Sequence, residues 1–310
     1  SGIISGNGSL TKNNTSTLTL SAGNSYTGGT TINAGTLKIG ASNVIGGNVT
    51  INSGATLDGT GNHGPVTSST NLIINGGTVI GGHTQQLTSI TITDGILQAS
   101  GAGNNMFFTG TFTGSGNNTI SSGFDVRGTS AGTFNITSGT TTISGTVSNI
   151  TGGSTGITKN CAGTLALSGA NTFAGTSTLN NGTLALGALS ETVGAVTLAG
   201  GTLSGTTGVL TAASYDLQSG TASAILAGAV TATKSTGGSV TLSGANTYSG
   251  NTVVDAGTLV AGNAAAFGTG TVTVNTGGTV NLSSQTVANS FTIAGGTLSG
   301  GTIALNKVTA

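Results

Sequence analysis

The fold of this chain is decided by the stretch from Val240 to Gly262, which reads VTLSGANTYSGNTVVDAGTLVAG. Apolar and small polar residues alternate along its ends, as they do in a strand with one buried face. Pairs of Gly, Asn, Ser and Ala separate these short runs, and such residues are typical of tight turns. No part of the chain shows a sustained helical period. The stretch therefore predicts short strands joined by turns, in an almost entirely β fold.

The same stretch occurs twice more, as LALSGANTFAGTSTLNNGTLALG from Leu165 and as LTLSAGNSYTGGTTINAGTLKIG from Leu18. Three positions hold the same kind of residue in every copy: Lys12, Lys159 and Lys234; Tyr26, Phe173 and Tyr248; Gly35, Gly182 and Gly257. A repeat that contains several strands predicts coils of roughly 20–25 residues that stack in parallel. We therefore expect about 12 to 15 coils in the chain.

We expect one β-solenoid over residues 1–310, with repeat copies near 12–60, 159–206 and 234–282 and a divergent middle near 84–158. A propeller needs four antiparallel strands per blade and commonly shows a tryptophan or aromatic signature, whereas this chain has no Trp. An antiparallel sandwich would predict two-residue hairpins and no long-range repeat. The pattern favours a single-stranded parallel β-helix.

Composition excludes several classes of protein. The chain has 58 Gly but one Pro, which excludes a collagen triple helix, and 35% hydrophobic residues, which is too many for a disordered chain. With six basic and six acidic residues and a net charge of zero, it cannot form the basic face that nucleic acid requires. No apolar run reaches the roughly 18 residues that cross a bilayer, and no leader segment opens the sequence. We expect no nucleic-acid partner and no membrane insertion by this segment.

The three copies resemble the passenger-associated strand repeat of bacterial autotransporters, most closely over Lys159–Gly187 and Lys234–Gly262. The resemblance implies a right-handed β-helix that is exported across the outer membrane. It also implies presentation at or beyond the cell surface, as an adhesin, a stalk or a carrier for an enzymatic domain.

Carboxylates are the first candidates for catalysis, since β-helices that cut acidic polysaccharides cluster them. The six acidic residues are Asp58, Asp94, Asp125, Glu191, Asp216 and Asp255. The separation of Glu191 and Asp216 in the sequence is close to the expected length of one coil, which would place them next to each other on successive coils. The alternative interpretation, which we favour, is that all six are turn-capping or solvated side chains.

Other candidate sites have simpler explanations. His63 and His83 are also separated by about one coil and could share a metal on adjacent coils, although zinc needs three or four ligands. Asp125 and Arg127 would form a weak surface ion pair on one strand. Cys161, the one cysteine, aligns with Asn14 and Thr236 and is interpreted as a turn residue. We expect no metal, no cofactor and no catalytic residue.

The aromatic and lysine positions of the repeat also allow two interpretations. Tyr26, Phe173 and Tyr248 could form an exposed track for glycans, but their wide spacing favours packing over a coil end or loop. Lys12, Lys159 and Lys234 are expected along one solvated edge.

Two functions from other classes remain as alternatives. Thr-x-Thr motifs at 91–93, 109–113, 231–233 and 271–273 suggest an ice-binding face, yet such a face needs one Thr pair per coil and these are unevenly spaced. Solenoid ends expose backbone groups that can pair with another copy, and neither end of the sequence shows a helix or a charged cap.

We interpret the chain as a non-catalytic, extracellular β-helix with a structural or adhesive role. It would be a surface adhesin, a stalk or a self-stacking filament subunit. Expected partners are further copies of the chain, end to end or side by side, and surface glycans or receptors on a host or neighbouring cell. The alternatives are an ice-binding protein and a polysaccharide-binding or lyase-type β-helix.

Overall fold

Parallel strands dominate a computed structural model of the chain. The structure describes residues 2–40, 45, 47–60, 71–81, 86–98, 105–121, 123–126, 131–149, 155–304 and 308–309. Over these ranges the regular elements are strands, with no helix. Strands pair in parallel with strands of the next coil, and the coils stack as a β-solenoid of about 13 turns. The predicted fold class and number of coils are therefore confirmed.

Contacts divide the chain into two compact units. Unit 1 comprises Ser1–Thr155 and Gly163–Gly169. Its sheet 1 contains Leu10–Lys12, Thr30–Ile32, Val49–Asn52, Asn71–Asn75, Gln86–Thr93, Asn105–Ser115, Gly123–Val126, Gly132–Ile136 and Val147–Asn149. Its sheet 2 contains Thr17–Leu20, Gly35–Ile39, Ala55–Asp58, Thr78–Ile80, Ile96–Gln98, Asn118–Ile120, Thr140–Ile143 and Thr164–Leu167. Ser5–Gly6 pairs separately with Ser25–Tyr26.

Unit 2 comprises Gly156–Ala162 and Ala170–Ala310. Its sheet 1 contains Ile157–Asn160, Ser177–Leu179, Val196–Leu198, Tyr215–Leu217, Ala232–Lys234, Thr252–Val254, Val272–Asn275, Phe291–Ala294 and Val308–Thr309. Its sheet 2 contains Thr183–Ala185, Thr202–Ser204, Gly220–Ala222, Ser239–Leu242, Gly257–Ala261, Gly278–Asn281 and Thr297–Ser299. Two smaller sheets complete unit 2. One contains Glu191–Thr192, Val209–Thr211 and Ile225–Ala227, and the other contains Thr286–Val287 and Thr302–Ile303.

The core consists of columns of aliphatic side chains. Leu179, Leu198 and Leu217 lie in register on consecutive coils and are almost completely buried. Each residue between two inward positions faces outward, because side chains alternate across a strand. Burying such columns is the main favourable term for a fold in which each coil contacts its neighbours.

Coil length varies along the chain. The coil from Leu217 to its register partner Lys234 is shorter than the sequence pattern predicts, whereas the coil from Ile143 to Leu167 has the predicted length. Two successive joints between strands of the short coil have only two residues each, namely 218–219 and 223–224.

The glycine of the repeat has a backbone reason. Gly35, Gly182 and Gly257 have φ of 67°, 71° and 68°, in the left-handed region that favours glycine. A Cβ at Gly257 would lie 2.3 Å from the carbonyl oxygen of Gly238 on the preceding coil. The glycine therefore allows both the turn and the close stacking of coils.

Candidate interaction surface

Threonine forms an outward column along sheet 1 of each unit. In unit 2 seven of nine register positions are Thr: Thr158, Thr178, Thr197, Asp216, Thr233, Val253, Thr273, Thr292 and Thr309. In unit 1 the column reads Thr11, Thr31, Thr50, Ile73, Thr91, Thr113 and Asn135. Strand spacing places successive hydroxyls about 4.8 Å apart.

A second outward column runs beside the first, two residues further along each strand. Its amides bond from coil to coil: Asn33 Nδ2 donates to Asn13 Oδ1 at 2.7 Å, and Asn52 Nδ2 donates to Asn33 Oδ1 at 2.7 Å. Asn180 donates to Asn160 in the same way at 2.8 Å, and Asn275 donates to the Asp255 carboxylate at 2.7 Å. We call this column of coil-to-coil amide hydrogen bonds the asparagine ladder. Its hydrogen bonds fix the direction in which the side-chain donors and acceptors point. An ice-binding face would instead need threonine in this second column as well as in the first.

Sheet 2 also carries threonine columns, with Thr183, Thr202, Thr221 and Thr241 in register in unit 2. Its neighbouring outward positions differ, since in unit 1 they hold Lys38 and Asp58, which form an ion pair at 3.6 Å. Sheet 1 is therefore the face on which a hydroxyl column and an amide column run side by side, with the carboxylates Asp216 and Asp255 as the charged members in unit 2.

The expectation that the repeat lysines mark a solvated edge is wrong. Lys12, Lys159 and Lys234 are 4%, 0% and 0% exposed, because each occupies an inward position of sheet 1. Each ammonium donates to the backbone carbonyl two residues later and to the backbone carbonyl 22 residues later. The acceptors are Asn14 and Ala34 for Lys12, Cys161 and Asn181 for Lys159, and Thr236 and Ala256 for Lys234. We call this arrangement the lysine bracket, since it ties one turn to the next.

Burial lowers the pKa of two of these lysines, Lys159 and Lys234. It lowers the pKa of Lys159 to about 8, with a smaller opposing influence from Cys161. It also lowers the pKa of Lys234, and the Asp216 carboxylate acts in the opposite direction. Carbonyl acceptors from two coils replace the water that each ammonium loses.

The repeat aromatics are buried, so an exposed aromatic track is wrong and the packing interpretation is confirmed. Tyr26, Phe173 and Tyr248 are 4%, 3% and 0% exposed. The Tyr248 hydroxyl pairs with Thr252 Oγ1 at 2.7 Å, and that of Tyr26 pairs with Thr30 Oγ1 at 2.8 Å. Phe173 has no hydroxyl, and the residue four positions later is Ser177 in place of Thr.

The structure does not bring Glu191 and Asp216 into register. Glu191 pairs with Leu210 in the small third sheet, whereas Asp216 lies in sheet 1 between Thr197 and Thr233. The expected pairing fails because the coil that separates Thr197 from Asp216 is shorter than the distance in sequence from Glu191 to Asp216. Glu191 is 2% exposed, and its carboxylate accepts from the backbone and side-chain nitrogens of Asn171 at 2.8 and 2.9 Å. Burial raises the pKa of Glu191, although the two Asn171 hydrogen bonds oppose this.

Other candidate residues fall partly outside the described part of the chain. His63, His83 and Arg127 lie outside it, so neither the metal pair nor the Asp125 ion pair is described. Cys161 occupies a turn with φ of 64°, as its alignment predicted, and its thiol is free. Among the described residues, no three or more His, Cys, Asp and Glu side chains converge, and no helix could span a membrane.

Sequence reasoning missed the lysine bracket and the asparagine ladder. The signal for the bracket was present in the sequence, since Lys159 follows Ile157 by two residues and would share its face of a strand. The ladder was visible as Asn13, Asn33 and Asn52, which recur once per coil.

Comparison of the whole chain with curated proteins and with solved structures finds no significant match. The family model described as Passenger-associated-transport-repeat matches residues 10–39, 157–186 and 233–261. These are the three stretches that contain the lysine bracket, the buried aromatic residue and the left-handed glycine. The chain therefore carries three copies of the autotransporter passenger repeat, set in a parallel β-solenoid.

Proposed function

We propose that this chain is a non-catalytic part of an exported, autotransporter-type passenger, and that sheet 1 makes adhesive contacts at the cell surface. The passenger repeats support export by analogy with their family. The observation that carries the adhesive role is the pair of polar columns on sheet 1, which consist mainly of neutral hydroxyl and amide side chains. These columns suit neutral polar partners, namely surface glycans or another copy of the chain.

Two properties of this face favour adhesion. Its hydroxyls and amides are repeated at the strand spacing, so many weak hydrogen bonds can form with one extended partner. Its backbone is held between neighbouring strands, which reduces the entropy lost when a partner binds. The face carries little charge, so neither salt nor charge repulsion would strongly oppose contact between two such surfaces.

The decisive test places charge on the proposed face. Cells that display the chain as an autotransporter passenger are scored for aggregation and for attachment to glycan-coated surfaces. The double variant Thr178→Lys/Thr197→Lys changes two half-buried positions of sheet 1. We expect it to reduce adhesion at least about tenfold, since like charges and bulk now oppose close approach.

A matched control changes sheet 2 of the same unit. Thr202→Lys/Thr221→Lys adds the same charge at two half-buried register partners. We expect adhesion by this control to stay within about twofold of the original chain. Equal loss in both variants would indicate a general effect of charge, and unchanged adhesion in both would contradict a role for sheet 1.

A further inference from the structure

A shallow groove of about 620 Å³ is lined by residues of sheet 1 of unit 2 and of the turns that precede its strands. It lies where the turns that precede Tyr215–Leu217 and Ala232–Lys234 approach the outward side of these strands. One part of its lining is apolar, from Ala213, Ala229 and Val230, and another is polar, from Asp216, Thr233 and Ser235. The groove thus combines a small apolar surface with convergent oxygen atoms.

Asp216 is the distinctive residue of this groove. It replaces threonine in the outward column, with Thr197 and Thr233 as its register partners. Gln218 Nε2 donates to Asp216 Oδ2 at 2.7 Å, and Ser235 Oγ donates to Asp216 Oδ1 at 2.5 Å. Each carboxylate oxygen accepts from one of these donors and retains capacity to accept from another. The carboxylate is therefore held in place while it can still bind a ligand.

The charge of the groove favours a neutral ligand. Leu217, next to Asp216, is the register partner of Lys234, whose buried ammonium interacts electrostatically with the Asp216 carboxylate. This cation is held by the carbonyls of Thr236 and Ala256, so it offsets the carboxylate without reaching the surface. An anionic sugar would still face the carboxylate directly. A neutral sugar can donate hydroxyl groups to Asp216 and place its C–H face on the alanines.

We infer that the groove beside Asp216 is a subsite for a neutral hexose-based oligosaccharide. Asp216 accepts hydrogen bonds from sugar hydroxyls, Thr233 and Ser235 lie beside it, and Ala213, Ala229 and Val230 contact the apolar face of the ring. This inference rests on the proposed adhesive function and gives sheet 1 a specific ligand class.

The test is titration calorimetry on the purified full chain. The probes are neutral trisaccharides of glucose, mannose and galactose, with a trisaccharide of hexuronic acids as the anionic comparison. We expect at least one neutral trisaccharide to bind with a Kd of about 1 mM, which is typical of a shallow site with a few hydrogen bonds. Asp216→Ala should weaken binding about tenfold or more, because it removes a charged acceptor.

Two further variants distinguish a binding role from a structural one. Ala213→Trp fills the groove from an exposed position and leaves Asp216 intact, and we expect it to abolish binding without lowering the melting temperature. Asp58→Ala removes a carboxylate from sheet 2 of unit 1, outside both the groove lining and the proposed adhesive face, and we expect unchanged binding.

The inference is overturned if no neutral trisaccharide binds at about 10 mM, if the hexuronic trisaccharide binds equally well, or if Asp58→Ala weakens binding as much as Asp216→Ala. The adhesive function has its own readout. If sheet 1 lysine variants reduce cell adhesion while no trisaccharide binds, the groove assignment fails and the adhesive face stands. If trisaccharides bind but adhesion is unaffected by the sheet 1 variants, the adhesive role fails.

Discussion

At the scale of single residues, the repeat is defined by polar groups that are buried and paired. Lys159 illustrates this, because its ammonium donates to the carbonyls of Asn160, Cys161 and Asn181 at 2.6, 2.8 and 3.2 Å. A buried cation is costly unless its donors are satisfied, and three donors here meet three acceptors. The same residue thus links its own turn to the turn of the next coil.

Lys159→Met should destabilise the chain by at least about 2 kcal/mol at pH 7, since three carbonyls lose a charged donor. The pH dependence follows from the pKa of about 8 in the folded chain, against 10.5 for the free side chain. Between these values the unfolded chain binds more protons, so the free energy of unfolding rises with pH. Urea titrations between pH 7 and pH 9.5 should show a smaller rise for the variant. Lys38→Met, at an exposed ion pair, should change stability by less than about 1 kcal/mol.

Glu191 should have the opposite pH dependence. Burial raises its pKa in the folded chain, so the folded chain retains a proton that the unfolded chain has lost above about pH 4.5. The stabilising contribution of protonated Glu191 is present at low pH, and it declines as the pH rises through the pKa of Glu191 in the folded chain. Glu191→Gln cannot ionise, so its free energy of unfolding should fall less between pH 4.5 and pH 7. Identical slopes for the variant and the original chain would contradict this assignment.

At the scale of elements, buried and exposed asparagines both link successive coils, but we expect their removal to destabilise the chain by different amounts. Asn246 is 3% exposed, accepts from the Leu226 amide at 2.8 Å and donates to the Ala266 carbonyl at 2.6 Å. Asn24 accepts from the Ile4 amide in the same way at 2.8 Å, so the feature recurs in the repeat. Asn33, in the ladder, is exposed.

Asn246→Ala should therefore lower the free energy of unfolding by about 2–4 kcal/mol, because it leaves a buried amide and a buried carbonyl unpaired. Asn33→Ala should change it by no more than about 0.5 kcal/mol, since water replaces the lost partners on the surface. Chemical denaturation of the two variants provides the comparison. A larger effect at Asn33 than at Asn246 would mean that the exposed asparagine ladder holds the coils together, and that the buried hydrogen bonds of Asn246 do not.

At the scale of the whole molecule, alternation and repetition were sufficient to predict parallel stacking. Val240, Leu242 and Leu259 alternate with polar residues, and all three are buried in sheet 2. The two-unit division was not predicted, since it depends on contact density and not on local pattern. Lys159 was misplaced because lysine is rarely buried, and only the structure shows carbonyls from two coils around it. The Asp216 groove depends in the same way on how turns from neighbouring coils meet.

The scarcity of charge leads to a last prediction. The chain has six basic and six acidic residues, and among the described residues Lys38 and Asp58 form the one ion pair. Added salt therefore has few exposed charges to screen. The cations of the lysine brackets are buried and bind neutral carbonyls, so salt should affect them little. Raising NaCl from about 20 to 200 mM should shift the melting temperature by less than about 2 °C, as measured by calorimetry. A shift above about 5 °C would show that exposed charges, and not hydrogen-bonded coils and aliphatic columns, control the stability of the molecule.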